Sequence, residues 1–248
     1  MVEPKIIIPD GSGFHNQDLE RSNARLKKSG SYRDLSTIII CPTRGMIPAT
    51  VVGSWLQIIR PMNQKVVGPI FIQGMEVGEA YCAALDMILA NPELVTFKYL
   101  LTIEEDNMPP PDGLMKLYEA IEGEVNGKKY DCVGGLYWTK GEAGQPMCYG
   151  SPSVMPKNFI PQIPQPETLT DANGLGMGFN LWRMSMFTGG KLPKPFFKTL
   201  QEFQPGVGSR VYTQDLYFFE NAGKLGYQFA CDSRVRVGHL DVQTGIVW

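Results

Sequence analysis

The pattern of apolar and polar positions changes character at Thr37. Residues from about 10 to 36, including Asp10-Gly-Ser-Gly13 and the polar run Asn16 to Arg25, show little core periodicity, and residues 1–36 read as an N-terminal extension. From Thr37 onward, apolar segments alternate between two periods. Thr37-Ile-Ile-Ile-Cys41 is β-branched and apolar on both faces, as a buried parallel strand requires, and Pro42-Thr-Arg-Gly45 breaks it. Over residues 49 to 59, Val52, Trp55, Leu56 and Ile59 recur at helical spacing. The pattern then predicts a strand at 66 to 73, a helix at 79 to 90, and a nearly continuous apolar strand, Lys98-Tyr-Leu-Leu-Thr-Ile103. A helix at 112 to 122 carries Leu114, Leu117, Tyr118 and Ile121 on one face, with Asp112 as its N-cap. A strand at 130 to 137 precedes a Pro- and Gly-rich stretch, 141 to 170, without a period. Such a segment in a compact domain is usually functional or mobile. Order returns at Gly174 to Phe187, in a Thr213-capped helix ending near Gly223, and in a closing strand around Arg234 to Val237. Strand and helix alternate, so the fold expected for residues 37–248 is a single α/β domain, Rossmann-like, with a mostly parallel central sheet flanked by helices.

Composition narrows the function. With 43% hydrophobic and 19% charged residues in 248, the chain can bury a sizeable core and is not disordered as a whole. Its 23 basic and 25 acidic residues leave a net charge of −2, and no basic stripe interleaves with aromatics, which disfavours a nucleic-acid binder. Aliphatic runs reach about five residues where a membrane helix needs about 18, so no membrane span is expected. The N-terminus lacks a secretory pattern, and five cysteines without C-x-x-C spacing suit free thiols in a reducing compartment. Both point to the cytoplasm.

The candidate chemistry gathers at the end of the third strand. Glu104, Glu105 and Asp106 are followed by Pro109-Pro-Pro-Asp112, and ligands of open α/β sheets bind beyond the carboxyl ends of strands. Three adjacent carboxylates repel one another unless a cation is near, and hard oxygen ligands suit manganese or magnesium; a solvated turn is the alternative. Arg44 can stack on a base or pair with phosphate, and otherwise is a surface arginine. His239, after Gly238, can ligate a metal or simply pack. Asp215 opens a helix, where a carboxylate is stabilised in its charged form, ready to accept a proton or merely to satisfy first-turn amides. Tyr137, Trp138 and Trp182 can face a sugar or fill the core.

Beside Glu104-Glu-Asp106 with Pro-Pro-Asp, five stretches follow one another in a familiar order: Pro42-Thr-Arg-Gly45; Val133-Gly-Gly-Leu136; Gly176-Met-Gly-Phe-Asn-Leu-Trp-Arg183; Gln214-Asp215; and Gly226-Tyr227 leading to Val237-Gly-His239. Over about residues 37 to 240 the chain resembles GT-A glycosyltransferases of the family-2-like, nucleotide-diphospho-sugar type. The resemblance implies a GT-A fold and a metal-dependent transfer from a nucleoside diphosphate sugar, most readily a UDP-sugar, to an acceptor hydroxyl, with inversion. It implies that Pro42, Thr43, Arg44, Glu104 and Glu105 receive the donor, that Gly176 and Gly178 lie beside its sugar, that Glu104, Asp106 and His239 hold Mn2+ or Mg2+, and that Asp215 is the catalytic base. The acceptor stays open among carbohydrate, protein and modified nucleic acid. The chain departs from the pattern at Glu104, where aspartate is usual, at Gln214, where an acid is usual, and at Glu79-Ala-Tyr-Cys82, where many relatives have Glu-Ala-Arg-Asn. Those departures motivate a second reading, a sugar- or nucleotide-binding module without turnover. A nucleotidyltransferase would use the same acids but would open with a longer glycine-rich loop and a lysine.

Overall fold

The computed structural model describes residues 5–7, 33–206 and 208–248. In chain order the strands are β1 (Lys5–Ile7), β2 (Thr37–Thr43), β3 (Val66–Gln73), β4 (Tyr99–Ile103), β5 (Asn107–Met108), β6 (Cys132–Leu136), β7 (Cys148–Tyr149), β8 (Leu169–Ala172), β9 (Gly174–Leu175), β10 (Phe179–Arg183), β11 (Leu200–Gln204), β12 (Gly208–Tyr212), β13 (Phe229–Arg236) and β14 (Gly238–His239). The helices are α1 (Ala49–Leu56), α2 (Val77–Ala90), α3 (Gly113–Ile121), α4 (Ser185–Thr188) and α5 (Gln214–Lys224). Eight strands form the central sheet in the order β1-β3-β2-β4-β10-β6-β13-β8. Strands β2, β3, β4, β6 and β13 run one way, and β1, β8 and β10 run against them. The expected mostly parallel α/β sheet is therefore present. From the first 36 residues, Lys5–Ile7 adds an edge strand to β3; the polar run Asn16 to Arg25 lies outside the described residues.

The doubly apolar strands explain the layering. In β2, Ile38 and Ile40 join one core cluster while Ile39 and Cys41 join the other. Alternate side chains of a strand point to opposite faces, so both faces must be covered. Helices α2 and α5 cover the first face through Tyr81, Leu85, Phe218 and Phe219, and α3 covers the second through Leu114, Leu117 and Tyr118. Trp182 is fully buried, stacked on Phe219 at 5.4 Å and edge-on to Phe218 at 5.2 Å, so it fills the core and presents no face to a sugar.

Several local expectations shift. Helix α1 ends at Leu56, and its buried residue is Val51, whereas Leu56 and Ile59 are exposed. The spacing of Val52, Leu56 and Ile59 thus marks an outer face. Helix α2 starts at Val77 because the Glu76 carboxylate accepts from the Gly78 and Glu79 amides at 2.7 and 3.1 Å, satisfying two of the first-turn donors. Asp112 stands at the cap of α3 but makes no capping bond, and its carboxylate pairs with Lys116 at 2.8 Å. The closing strand begins at Phe229, five residues before the apolar-polar pattern announces it. The stretch 141 to 170 holds little regular structure besides β7 and the start of β8, as expected. All five cysteines are free, four of them buried, and no helix among the described residues is long and apolar enough to cross a membrane.

Candidate active site

The connection from β2 goes out to β3 on one side and returns across the sheet to β4 on the other. The chain therefore reverses direction of travel between β2 and β4, which pair in parallel from Thr37↔Tyr99 to Ile40↔Thr102. A switch point of this kind opens a crevice at the carboxyl ends of its two strands. Thr43 ends β2 and Glu104 follows β4, so the two motifs singled out by sequence meet at that crevice.

What joins them is Glu105. It is only 8% exposed, and its carboxylate accepts from the Thr43 hydroxyl at 2.7 Å, the Arg44 amide at 2.8 Å and Arg44 Nε at 2.5 Å. A buried carboxylate requires such donors, since leaving it unpaired is expensive. Thr43 Oγ1 in turn accepts from the Gly45 amide at 2.9 Å, and Gly45 has φ +106°, a conformation open to glycine. The Arg44 side chain remains 80% exposed, bonded to Glu105 through Nε. Glu105 is thus the anchor of the Pro42–Gly45 loop, with its oxygens occupied by the protein.

Asp106 turns the other way. A tight turn at Glu105-Asp106 leads into β5, which pairs with β14 so that Asn107 faces His239, and the Leu240 amide donates to the Asp106 carbonyl at 2.8 Å. This pairing brings His239, 133 positions away along the chain, to 3.5 Å from Asp106 Oδ2 through Nε2. His239 Nδ1 lies 2.7 Å from the Trp138 carbonyl, an acceptor, so Nδ1 carries a proton and Nε2 is the ring nitrogen that faces Asp106. Tyr137 holds the ring edge-on at 5.4 Å. Lys140 also reaches Asp106, with Nζ 2.5 Å from Oδ2. Burial would raise the Asp106 carboxyl, but hydrogen bonds from His239 and Lys140 and their charges bring it down from 3.8 to about 2.

Glu104 is held apart from this pair by Tyr81, whose hydroxyl donates to Oε1 at 3.3 Å. Burial, then the charges of Asp106 and Asp215, push its carboxyl up from 4.5 to about 7. Asp215 opens α5 and is 5% exposed, with Oδ1 accepting the Leu216 amide at 2.9 Å. Here the helix start does not dominate: burial raises the Asp215 carboxyl above its ordinary value, against hydrogen bonds from Thr213 and the Leu216 and Asp215 amides. Glu104, Asp106, Asp215 and His239 therefore share one electrostatic neighbourhood. Among the described residues no three His, Cys, Asp or Glu groups converge as a complete metal cage. Asp106 and His239 supply an oxygen and a nitrogen of the right chemistry for Mn2+ or Mg2+, and the ammonium of Lys140 already shows that a cation is at home there.

The room beside Gly176 and Gly178 is filled from inside. A Cβ on Gly176 would meet the Tyr137 hydroxyl at 2.2 Å, and one on Gly178 would meet both amide atoms of Asn107 at 2.7 Å. Tyr137 Oη also accepts from the Gly178 amide at 2.9 Å. The glycines admit a buried phenol and a buried amide, and sequence alone had no signal for either partner. Lys140 was also missed, because it falls between the strand expected at 130 to 137 and the aperiodic stretch from 141, where no pattern marks it.

No protein-family model and no curated protein sequence matches the chain. Solved structures do match. A197 from STIV covers 83% of this chain and 86% of its own, with a TM-score of 0.57 and 21% identity. The crystal structure of GalNAc-T7 with UDP, GalNAc and Mn2+ covers 84% of this chain with a TM-score of 0.53 and 10% identity, and this chain spans 44% of that one. The likeness shows the fold, which is of GT-A type.

Proposed function

We propose that the chain is a metal-dependent glycosyltransferase that moves a sugar from a nucleoside diphosphate sugar, most readily a UDP-sugar, to an acceptor hydroxyl with inversion. The observation that carries this reading is the meeting of the Arg44–Glu105 clamp and the Asp106–His239 pair at the carboxyl ends of β2 and β4, with Asp215 near enough for its charge to act on Glu104. Support comes from the fold, shared with a GalNAc-T7 structure that contains UDP, GalNAc and Mn2+.

In this reading Thr43 and the exposed Arg44 fork face the nucleotide and its diphosphate, and Glu105 holds their loop in place. Asp106 and His239 would hold the divalent ion, which supplies Lewis-acid neutralisation of the departing diphosphate. The acceptor oxygen attacks the anomeric carbon, the bond from that carbon to the phosphate oxygen breaks, and the nucleoside diphosphate leaves with the electron pair. Asp215 takes the acceptor proton, a role its raised carboxyl suits because a base poised nearer neutrality drives that transfer better. Glu104, bonded to Tyr81, borders the same pocket on the donor side. The acceptor remains a hydroxyl on a carbohydrate, protein or modified nucleic acid.

The test is product formation from a panel of UDP-sugars with Mn2+, for wild type and Asp215→Asn. The account expects turnover in wild type and a loss of about 10²-fold or more in the variant with UDP affinity retained. Tight donor binding without product in wild type would favour the binding module suggested by Glu104 and Gln214.

A further inference from the structure

Lys140 sits on a tied hairpin-like loop. The Met147 amide donates to the Tyr137 carbonyl at 2.9 Å, the Thr139 amide to the Gln145 carbonyl at 2.9 Å, and Trp138 bridges Pro146. The same loop gives the Trp138 carbonyl to His239 and the Lys140 ammonium to Asp106, so it touches both members of the pair. Lys140 is 29% exposed and Asp106 14%, so the contact is largely shielded from water. A divalent ion approaching Asp106 Oδ2 competes with an ammonium already bonded to that oxygen.

We propose that Lys140 is a resident cation that competes with the divalent metal for Asp106 and is released onto the donor diphosphate, making metal and nucleotide bind cooperatively. This rests on the transferase reading above. Without nucleotide, the other carboxylate near Lys140 is Asp241, whose oxygens already accept from the Gln243 amide and the Thr244 hydroxyl, and metal binding is weakened by the lost ion pair. With a diphosphate present, the ammonium exchanges one anion for another, and the penalty falls away. Binding couplings are reciprocal, so metal improves nucleotide affinity by the same factor. The flexible four-carbon stem of lysine suits such an exchange of partners.

The experiment is a calorimetric titration of Mn2+ into wild type, Lys140→Met and Lys140→Arg, with and without UDP, each protein first matched for melting temperature. In the absence of UDP, Lys140→Met should bind Mn2+ on the order of tenfold more tightly than wild type, the value of one charge-assisted hydrogen bond. Lys140→Arg keeps the competing charge and should stay within about threefold of wild type. With saturating Mn2+, Lys140→Met should bind UDP more weakly than wild type, because no released ammonium reaches a phosphate. Mn2+ affinity in Lys140→Met equal to or below that of wild type, with UDP-dependent Mn2+ binding intact in wild type, overturns this inference alone. No Mn2+ binding by any of the three proteins, with or without UDP, overturns the metal reading and this inference with it.

Discussion

Replacing Glu105 by alanine removes the acceptor of three hydrogen bonds at once. The bond from Arg44 Nε belongs to a side chain that is 80% exposed, so its loss returns a guanidinium to water and contributes little. The other two, from the Thr43 hydroxyl and the Arg44 amide, end on a carboxylate only 8% exposed. At about 1.5 kcal/mol for each bond to a charged group, their loss destabilises the fold by roughly 3 kcal/mol. For a domain of this size that is a fall in melting temperature of about 6 to 12 °C. Thermal unfolding followed by circular dichroism measures it, and calorimetry with UDP measures the second consequence, an affinity lower on the order of tenfold because the Arg44 backbone loses its anchor. The control is Arg44→Ala, which should weaken UDP binding while leaving the melting temperature within about 2 °C. A Glu105→Ala protein that melts within 1 °C of wild type (about 0.5 kcal/mol by the same conversion) would refute the clamp.

Other outcomes follow from the same geometry. Gly176→Ala should lose about 1–3 kcal/mol of stability by overpacking against the Tyr137 hydroxyl, and Tyr137→Phe in the same chain should recover part of it; additive losses in urea unfolding would contradict the close approach. The Glu104 carboxyl, raised in the folded state from 4.5 to about 7, makes the folded chain bind more protons across that window, so stability falls as pH rises from 4.5 to 7. Glu104→Gln should flatten that limb of a pH-dependent denaturation series. The Asp106 carboxyl, lowered from 3.8 to about 2, contributes stability that is complete above pH 3.8 and lost as pH falls to 2; Asp106→Asn should remove this acid limb, and an unchanged limb would contradict the pairing with Lys140 and His239.

The parallel heart of the fold is legible in the sequence because its strands are apolar on both faces. Thr37 to Cys41 and Tyr99 to Ile103 cannot sit in a sheet with one wet side, and the helices between them follow from that. The antiparallel strand β10, inserted between β4 and β6, carries the same apolar signature, so hydrophobicity alone cannot reveal its direction or neighbours. At the site, the residues singled out by sequence fall into two joined groups, Thr43 and Arg44 on Glu105 and His239 on Asp106, with Asp215 near enough for its charge to act on Glu104. What it could not assign was the division of labour within the triplet. Three consecutive residues in a tight turn point in three directions, so Glu105 anchors a loop, Glu104 meets Tyr81, and Asp106 alone faces His239. The direction of the shift at Asp215 was misjudged for a related reason: a helix start is visible in sequence, whereas the burial that raises the carboxyl depends on distant packing. Lys140 reaches Asp106 from 34 residues away, and no local pattern marks a lysine that will do so.

The most direct measurement is a crystal structure of the chain with UDP and Mn2+. The account predicts the diphosphate at the carboxyl ends of β2 and β4, beside Arg44, with the ion touching Asp106 and His239 Nε2 and Lys140 turned onto phosphate. A complex in which the nucleotide lies elsewhere, or in which Asp106 touches no ion while UDP is bound, would contradict it.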